Sequence, residues 1–381
     1  MKRALLLAAL ALTLALAGAR SSSLAAGRAP GRPLVDAKAY FVVNAATGDV
    51  LMSKNADARL PMASLTKLMT VVVALQRLAL DQLVTVSKWA TQAGEESAYL
   101  RAGEEISVAD LVKAALIQSA NDAADALADA ASGGDHKLFV SWMNREAKLI
   151  GLENTHFVRP DGLDTPGHYS SARDITLLAQ WAVNLPVVRE DVRMRTAIIS
   201  GGRRLTTWDD LLGVFRGVVG VKTGHTNKAG WCQVALLRRN GLQIYATILG
   251  SPSRSQRDHD LAAMLRYALS SYQVVPIAAA GDSLLKVETA YGQGAVPVTV
   301  SHSLELPVRV DRPLVERLIV PRTLSLPVRR GQHVGVVRIY SGAELLSTRD
   351  LVAMRSVGKA GFFGKAGWYG KQTIHELFAW A

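Results

Sequence analysis

Cysteine is almost absent from this sequence, which has one thiol, Cys232, among 381 residues. A single thiol cannot form an intrachain disulfide, so the fold relies on packing even in an oxidising compartment, and we expect Cys232 in a buried strand. A His-Glu-x-x-His zinc signature is also missing, which argues against a metallopeptidase. We therefore predict no metal and no cofactor. Four histidines are interpreted as structural or surface residues: His136, His156, His168 and His259.

Long apolar runs are scarce, and the most conspicuous one lies at the N-terminus. Lys2 and Arg3 precede an uncharged run from Ala4 to Ala17, and Ala17-Gly18-Ala19 offers small residues for cleavage. This pattern predicts a signal peptide over residues 1–19 of an exported, periplasmic protein. The alternative is an uncleaved anchor, although the run is shorter than the roughly 20 residues of a spanning helix.

Charged residues make up 20% of the chain and apolar residues 49%, a composition typical of a globular protein. The formal net charge of +12 indicates an acidic partner, whether nucleic acid, anionic lipid or an anionic polymer. Export disfavours nucleic acid, so we predict no nucleic-acid partner and expect a membrane surface or an envelope polymer instead.

Strand signals bracket the first part of the mature chain. Ala39 to Val43 and Val50 to Ser53 flank a turn signal and predict a hairpin. Trp231 to Arg238 and Leu242 to Leu249 flank Asn240-Gly241, a dipeptide suited to a type I′ turn. Before the first hairpin, residues 20–34 are rich in Ser, Ala, Gly and Arg, which predicts a flexible spacer.

Helical patterns fill the space between the two hairpins. Leu65 to Leu80 is almost continuously apolar and predicts a helix buried on most sides. Ser107 can cap a helix that runs to about Gln118, and another follows from Asn121 to Ala131. Strands at both ends with helices between them predict an α+β domain over residues 35–275, with an antiparallel sheet backed by helices.

The remainder of the chain has a different texture. Residues 276–352 contain short Val-rich and Leu-rich runs punctuated by proline, which predicts a small all-β domain. Residues 353–381 alternate aromatic and basic side chains, and Lys371 to Ala381 has the pattern of an amphipathic helix. We predict a tail that lies on an anionic membrane surface; the alternative is a disordered basic terminus.

Ser64-Leu65-Thr66-Lys67 places a hydroxyl and an amine about one helical turn apart on the same face. The same spacing recurs at Ser283 to Lys286 and at Ser356 to Lys359, so the tetrad alone is weak. On the tetrad alone, a capping serine and a surface lysine would be the simpler interpretation. Ser64, however, begins a buried apolar helix, where desolvation would lower the pKa of Lys67 and allow it to act as a base.

Two further elements favour catalysis. Ser119-Ala120-Asn121 lies at a break between predicted helices, and Lys222-Thr223-Gly224 follows a strand run that begins near Val218. The order of these elements after Ser64 and Lys67 resembles that of penicillin-binding proteins and serine β-lactamases. Further segments resemble the low-molecular-mass D-alanyl-D-alanine carboxypeptidases across nearly the whole mature chain: Ala39 to Ser53, Arg101 to Glu104, Asn154 to Phe157, Gly167 to Ser170, Lys222 to Thr226 and Gly361 to Gly364.

The resemblance implies a penicillin-binding fold with an antiparallel sheet and helices, and a serine peptidase that acts on peptidoglycan stem peptides. Ser64 would attack the carbonyl between two D-alanines and form an acyl-enzyme. Lys67 would activate it, Ser119 and Lys222 would relay a proton to the leaving amine, and Asn121 would orient the substrate amide. β-Lactam antibiotics would be covalent inhibitors.

The resemblance also implies how the substrate is held. Backbone N–H groups of the nucleophile and His225 would form an oxyanion hole. Thr223 and Thr226 would offer hydroxyls to the substrate carboxylate, and Arg257 the charge, with Arg254 as a nearby competitor. The substrate-binding residues implied are Lys222, Thr223, Gly224, His225, Thr226 and Arg257. Ala120 departs from the glycine usual in this family, and we expect little consequence.

Two other classes of protein remain as alternatives. A class A β-lactamase would carry a Glu-x-x-Leu-Asn type element to activate the deacylating water, and none follows Ser119. A non-catalytic wall-binding protein would keep the fold but would not need the serines and lysines together. The sequence therefore predicts an enzyme that penicillin inhibits, peripheral on the outer face of the cytoplasmic membrane.

Overall fold

The computed structural model describes residues 31–362, 365, 366 and 368, in two compact units that meet in sequence between Ser271 and Tyr272. The predicted signal peptide, most of the predicted spacer and the predicted helix from Lys371 to Ala381 lie outside the described residues. Within the part of the chain that the structure describes, no helix combines the length and the apolar character needed to span a bilayer.

The first unit is built on an antiparallel five-stranded sheet in the order β2-β1-β9-β8-β7. Asn240 and Gly241 have φ values of 53° and 75° between β8 and β9, as the predicted type I′ turn requires. Both predicted hairpins are confirmed. The strands are β1 Ala39–Asn44, β2 Val50–Lys54, β3 Leu83–Thr85, β4 Glu105–Ser107, β5 Thr196–Ile199, β6 Arg203–Thr206, β7 Val218–Thr226, β8 Gly230–Arg239 and β9 Leu242–Ser251. Cys232 is fully buried in β8, as expected.

Helices pack against this sheet and against one another. They are α1 Lys67–Leu75, α2 Val108–Lys113, α3 Asn121–Ser132, α4 His136–Leu149, α5 Ala172–Val183, α6 Pro186–Asp191 and α7 Arg254–Ser270. A 3₁₀ turn, Ala63–Thr66, leads into α1, and a π turn, Ala114–Gln118, extends α2. The predicted Ser107 cap is confirmed, because its side chain accepts a hydrogen bond from the backbone N–H of Asp110.

The predicted helix from Leu65 to Leu80 was too long, because α1 ends at Leu75. The backbone N–H groups of Arg77 and Leu78 both bond to the carbonyl of Ala74, which closes the helix as a turn. An apolar run alone does not distinguish a buried helix from a buried turn. The short α1 packs against α3, α4 and α5 in one apolar core, so the residues that begin it are fixed from several sides.

The second unit is a β structure with its own core. A six-stranded sheet in the order β14-β16-β17-β12-β11-β15 accompanies a β10-β13 pair; only the β11–β15 pairing is parallel. The strands are β10 Tyr272–Ala278, β11 Leu285–Thr289, β12 Ala295–Val300, β13 Leu304–Arg309, β14 Leu314–Ile319, β15 Thr323–Leu324, β16 His333–Ser341 and β17 Glu344–Ala353. Pairing continues beyond β17, because Val357 exchanges two backbone hydrogen bonds with Val328.

Candidate active site

Ser64 lies in the 3₁₀ turn that precedes α1, and Lys67 is the first residue of α1. The Nζ atom of Lys67 lies 2.8 Å from the Oγ atom of Ser64. Lys67 is completely buried, whereas Ser64 is partly exposed. The predicted pair is therefore brought together, with the hydroxyl at the surface of a cleft and the amine beneath it.

Two further groups surround the amine of Lys67. Its Nζ lies 2.6 Å from Oδ1 of Asn121 and 2.6 Å from the backbone carbonyl oxygen of Asp161. Both are acceptors only, and a neutral amine has two N–H groups and one lone pair. Once both N–H groups are given to Asn121 and Asp161, the lone pair must face Ser64. This geometry suits an amine that takes a proton from the serine.

Burial lowers the pKa of Lys67 from its ordinary value to about 8. The carboxylates of Asp161, Asp125, Asp122 and Glu95 oppose that effect and limit the fall in pKa. A lysine with a pKa near 8 is neutral in about a tenth of molecules at pH 7, far more than a lysine with its ordinary pKa. The Ser64 hydroxyl therefore has an amine of lowered pKa at hydrogen-bonding distance.

Ser119 and Lys222 form a second serine–lysine pair. Ser119 ends the π turn in the left-handed region, with φ 70° and ψ 25°, which stops the helix and turns its side chain away from the helical face. Lys222 Nζ donates to Ser119 Oγ at 2.7 Å and to the carbonyl of Thr223 at 2.8 Å. The pKa of Lys222 falls well below its ordinary value, first through burial and then through the charge of Lys67.

Asn121 follows this bend, at the start of α3. Its Oδ1 receives Lys67, and its Nδ2 donates to the carbonyl of Gly94 at 2.6 Å. Both ends of its amide therefore have partners within the protein. In this structure Asn121 orients Lys67, whereas the resemblance implied contact with the substrate amide.

The strand β7 runs along the 3₁₀ turn that carries the proposed nucleophile Ser64 (Ala63–Thr66, the nucleophile turn). Gly224 lies so close that a Cβ atom there would be 3.0 Å from the backbone nitrogen of Ser64. Thr223, Gly224 and His225 line the same cleft as Ser64, and His225 stacks on Trp231 with ring centroids 4.2 Å apart.

Thr226 is not among the residues that line the cleft. Its hydroxyl donates to Asp164 at 2.7 Å and accepts from the backbone N–H of Ala229 at 3.1 Å. The geometry therefore gives Thr226 a part in holding the turn after β7, whereas the resemblance implied a substrate contact.

Arg257 and Arg254 are separated by their surroundings. Arg257 is fully buried on α7 and lines the cleft, whereas Arg254 is not among the residues that line it. The guanidinium of Arg257 pairs with Asp258 at 2.6 Å and with Asp210 at 3.1 Å. Its plane also lies near Trp231, 5.6 Å from the ring centroid. The structure thus favours Arg257 as the charge that faces a ligand.

Four residues of the cleft carried no signal in the sequence: Glu95, Glu96, Trp208 and Trp231. The two glutamates come from the loop before β4, which Asp122 holds by accepting from the backbone N–H groups of Ala98 and Leu100. Asp161 was missed as well, because a backbone carbonyl leaves no mark on side-chain patterns. Among the residues that the structure describes, no cluster of His, Cys, Asp and Glu could hold a metal ion.

Two neighbouring serine–lysine pairs on a mixed α+β fold are the arrangement expected of a serine-type peptidase. The sequence profile of the D-alanyl-D-alanine carboxypeptidase family matches residues 26–253, and that of the penicillin-binding protein 5 C-terminal domain matches residues 272–359. This chain belongs to the D-alanyl-D-alanine carboxypeptidase family of low-molecular-mass penicillin-binding proteins.

Curated relatives and solved structures agree with this assignment. The chain is 30% identical to D-alanyl-D-alanine carboxypeptidase DacA of Escherichia coli over 369 residues, 92% of this chain and 90% of that protein. It is 28% identical to DacF of Bacillus subtilis over 347 residues, 86% and 87% of the two chains. The crystal structure of DacD from Francisella tularensis is similar with a TM-score of 0.61 and 28% identity, covering 88% of this chain and 97% of that one.

Proposed function

We propose that this protein removes the terminal D-alanine from peptidoglycan stem pentapeptides through an acyl-enzyme on Ser64, and that penicillin acylates the same oxygen. The observation that carries the proposal is the environment of Lys67. Its amine lies 2.8 Å from Ser64 Oγ, and two acceptors occupy its other bonding directions. Membership of the carboxypeptidase family supports the choice of substrate.

In the acylation step, Lys67 Nζ takes the proton of Ser64 as Oγ bonds to the carbonyl carbon of the penultimate D-alanine. The C–N bond then breaks. The leaving amine takes a proton from Ser119 Oγ, which Lys222 resupplies across 2.7 Å. The new charge on Lys67 lowers the pKa of Lys222 and so favours this transfer.

Deacylation reverses the proton flow. Water attacks the acyl carbon and gives its proton through Ser119 to the neutral Lys222, while protonated Lys67 returns its proton to Ser64 Oγ as the ester bond breaks. Both lysines then have the protonation states with which the cycle began. This second half rests on the same contacts as the first.

Substrate binding follows from the cleft lining. Backbone N–H groups of Ser64 and His225 are the proposed oxyanion donors. Arg257 and the Thr223 hydroxyl are the proposed partners of the terminal carboxylate, in a part of the cleft walled by Trp208 and Trp231. Burial beside these rings reduces solvent screening, which strengthens recognition of a carboxylate.

We further propose that the protein is exported and held at the outer face of the cytoplasmic membrane by its tail. The motif of alternating aromatic and basic residues supports this proposal. At its described end, Trp368 meets Tyr291 edge-on, with ring centroids 5.7 Å apart, and Lys365 Nζ lies 5.4 Å from the centroid of the Tyr291 ring.

Covalent labelling tests the proposed chemistry. Purified protein should gain the mass of one penicillin and release D-alanine from a D-alanyl-D-alanine peptide, and Ser64→Ala should do neither. Ser283→Ala is a matched control, since it removes the serine of another Ser-x-x-Lys spacing in the second unit. Labelling that persists in Ser64→Ala, or is lost in Ser283→Ala, would contradict the assignment.

A further inference from the structure

The loop from Val158 to Leu163 packs against the nucleophile turn and the first turn of α1. Its consecutive carbonyls receive side chains of α1: Pro160 accepts from Thr70 Oγ1 at 2.5 Å, and Asp161 accepts from Lys67 Nζ at 2.6 Å. The backbone of this loop therefore determines where one N–H of the proposed base points.

An ion pair between the buried Asp161 and the partly exposed Arg159 holds Asp161 in place. Its side chain is completely buried, and its two carboxylate oxygens receive the Nε and Nη2 groups of Arg159. Oδ1 also accepts from the backbone N–H of Leu163 at 3.1 Å. A fork-shaped guanidinium on a planar carboxylate fixes orientation as well as distance. The proposed proton transfers make no use of this pair.

Gly162 shows how tightly the loop is fitted. Its φ of +91° lies in the left-handed region, and a Cβ there would be 2.2 Å from the carbonyl oxygen of Ala63. His168 connects this loop to the nucleophile turn. Its Nδ1 accepts a hydrogen bond from the N–H of Val158, so its Nε2 carries the proton and donates to Thr66 Oγ1 at 2.8 Å. The loop thus has little freedom to move relative to Ser64.

We infer that Asp161, held by Arg159, is a positioning residue for Lys67: its carbonyl orients the amine, and its carboxylate, paired with Arg159, sets the charge that the amine meets. This inference rests on the proposed role of Lys67 as base. It adds that the two partners of the ion pair act on that base in opposite directions.

Several charged groups face Lys67. Asp122 and Asp125 do so from α3, Glu95 from the loop before β4, and Asp161 from its loop. Lys222 approaches from β7 with the opposite effect, because a neighbouring positive charge disfavours an ammonium. Burial raises the pKa of Asp125 to about 8, so Asp125 titrates in the same range as Lys67 and must be separated from it experimentally.

The test is the pH dependence of Ser64 acylation by a fluorescent penicillin, measured on the full chain. Asp161→Asn keeps the backbone carbonyl and an acceptor for Leu163 but removes the negative charge. The ammonium of Lys67 then loses stabilisation. The acidic limb of the pH–rate profile, where acylation slows as Lys67 is protonated, should therefore move to lower pH by about one unit. The limiting rate at high pH should stay within about threefold, since a weaker base transfers protons only somewhat more slowly.

Arg159→Gln should shift the limb the other way. It leaves the carboxylate without its cation, which stabilises the ammonium of Lys67 and moves the limb to higher pH. Asp57→Asn is the matched control, because it neutralises an aspartate whose arginine partner, Arg173, lies on the surface of the same unit; it should cause no shift. The Asp161→Asn shift should persist in an Asp125→Asn background.

The outcomes separate this inference from the proposed function. Wild-type protein that penicillin does not label would overturn the catalytic role of Lys67 and Ser64 altogether. If penicillin labels the wild type but the limb does not move in Asp161→Asn, the positioning role alone is overturned. The same follows if the limb moves in the same direction in Asp161→Asn and Arg159→Gln. A purely structural role would lower the melting temperature without moving the limb.

Discussion

The closeness of Gly224 to Ser64, the proposed nucleophile, leads to a prediction about transition-state stabilisation. In Gly224→Ala, the new Cβ would lie 3.0 Å from the Ser64 nitrogen, 3.1 Å from the Ala63 Cβ and 3.2 Å from the Leu65 nitrogen. Its backbone conformation tolerates alanine, since its φ is not positive. The effect should therefore come from the contact and not from backbone strain.

The size of the effect follows from these distances. Nonbonded heavy atoms are most stable at about 3.5 to 4.0 Å, so the strand and the nucleophile turn must separate by about half an ångström. Gly224 is paired with Cys232 in β8, which restrains the strand, so much of the shift falls on the Ser64 N–H. Complete loss of one oxyanion donor costs about 10² to 10³ in rate. A donor displaced by this amount should cost about 10-fold to 100-fold.

The measurement is the second-order rate of acylation by fluorescent penicillin, with the melting temperature recorded in parallel. Gly358→Ala is a suitable control, because a Cβ there has nothing within 4 Å and its φ is not positive. It should acylate at the wild-type rate. If Gly224→Ala stays within about threefold of wild type while folded, the proposed oxyanion role of the Ser64 N–H is wrong.

Two further predictions concern the base and the tail. Lys67→Arg should fold yet acylate at under about a tenth of the wild-type rate, because a guanidinium is not deprotonated in proteins. Circular dichroism checks the fold, and Lys113→Arg on the surface of α2 is the control. Faster acylation of Lys67→Arg would point to another base. Deleting residues 360–381 leaves the Val357–Val328 pairing intact and should give an active protein that no longer sediments with anionic vesicles. High salt should weaken but not abolish vesicle binding of the intact chain. If the truncated and intact proteins sediment equally with vesicles, the tail is not the anchor.

Local sequence signals predicted much of the fold. Asn240-Gly241 specified the turn between β8 and β9, and Ser107 specified the start of α2, because each acts on backbone groups only a few residues away. Where the signal was apolar content alone, as from Leu65 to Leu80, it marked burial correctly as far as Ala74 but overestimated the length of the helix.

The geometry of the site was predictable in part for the same reason. Ser64 and Lys67 are one turn apart, so their contact is local, and the Ser-x-Asn and Lys-Thr-Gly elements could be recognised as groups in order. Their roles were less predictable. Thr226 bonds to Asp164 and Asn121 bonds to Lys67, and neither partner is a neighbour in sequence.

The sequence by itself determined the family, the two-part architecture and the proximity of Ser64 to Lys67, since these depend on local spacing and on motifs in a recognisable order. Only the tertiary structure decided what surrounds the base. The carbonyl of Asp161, the ion pair with Arg159 and the cleft residues Glu95 and Trp208 come from separate loops. Periodicity reports only neighbours within a helix or strand, whereas the orientation and pKa of Lys67 depend on groups that folding alone brings together.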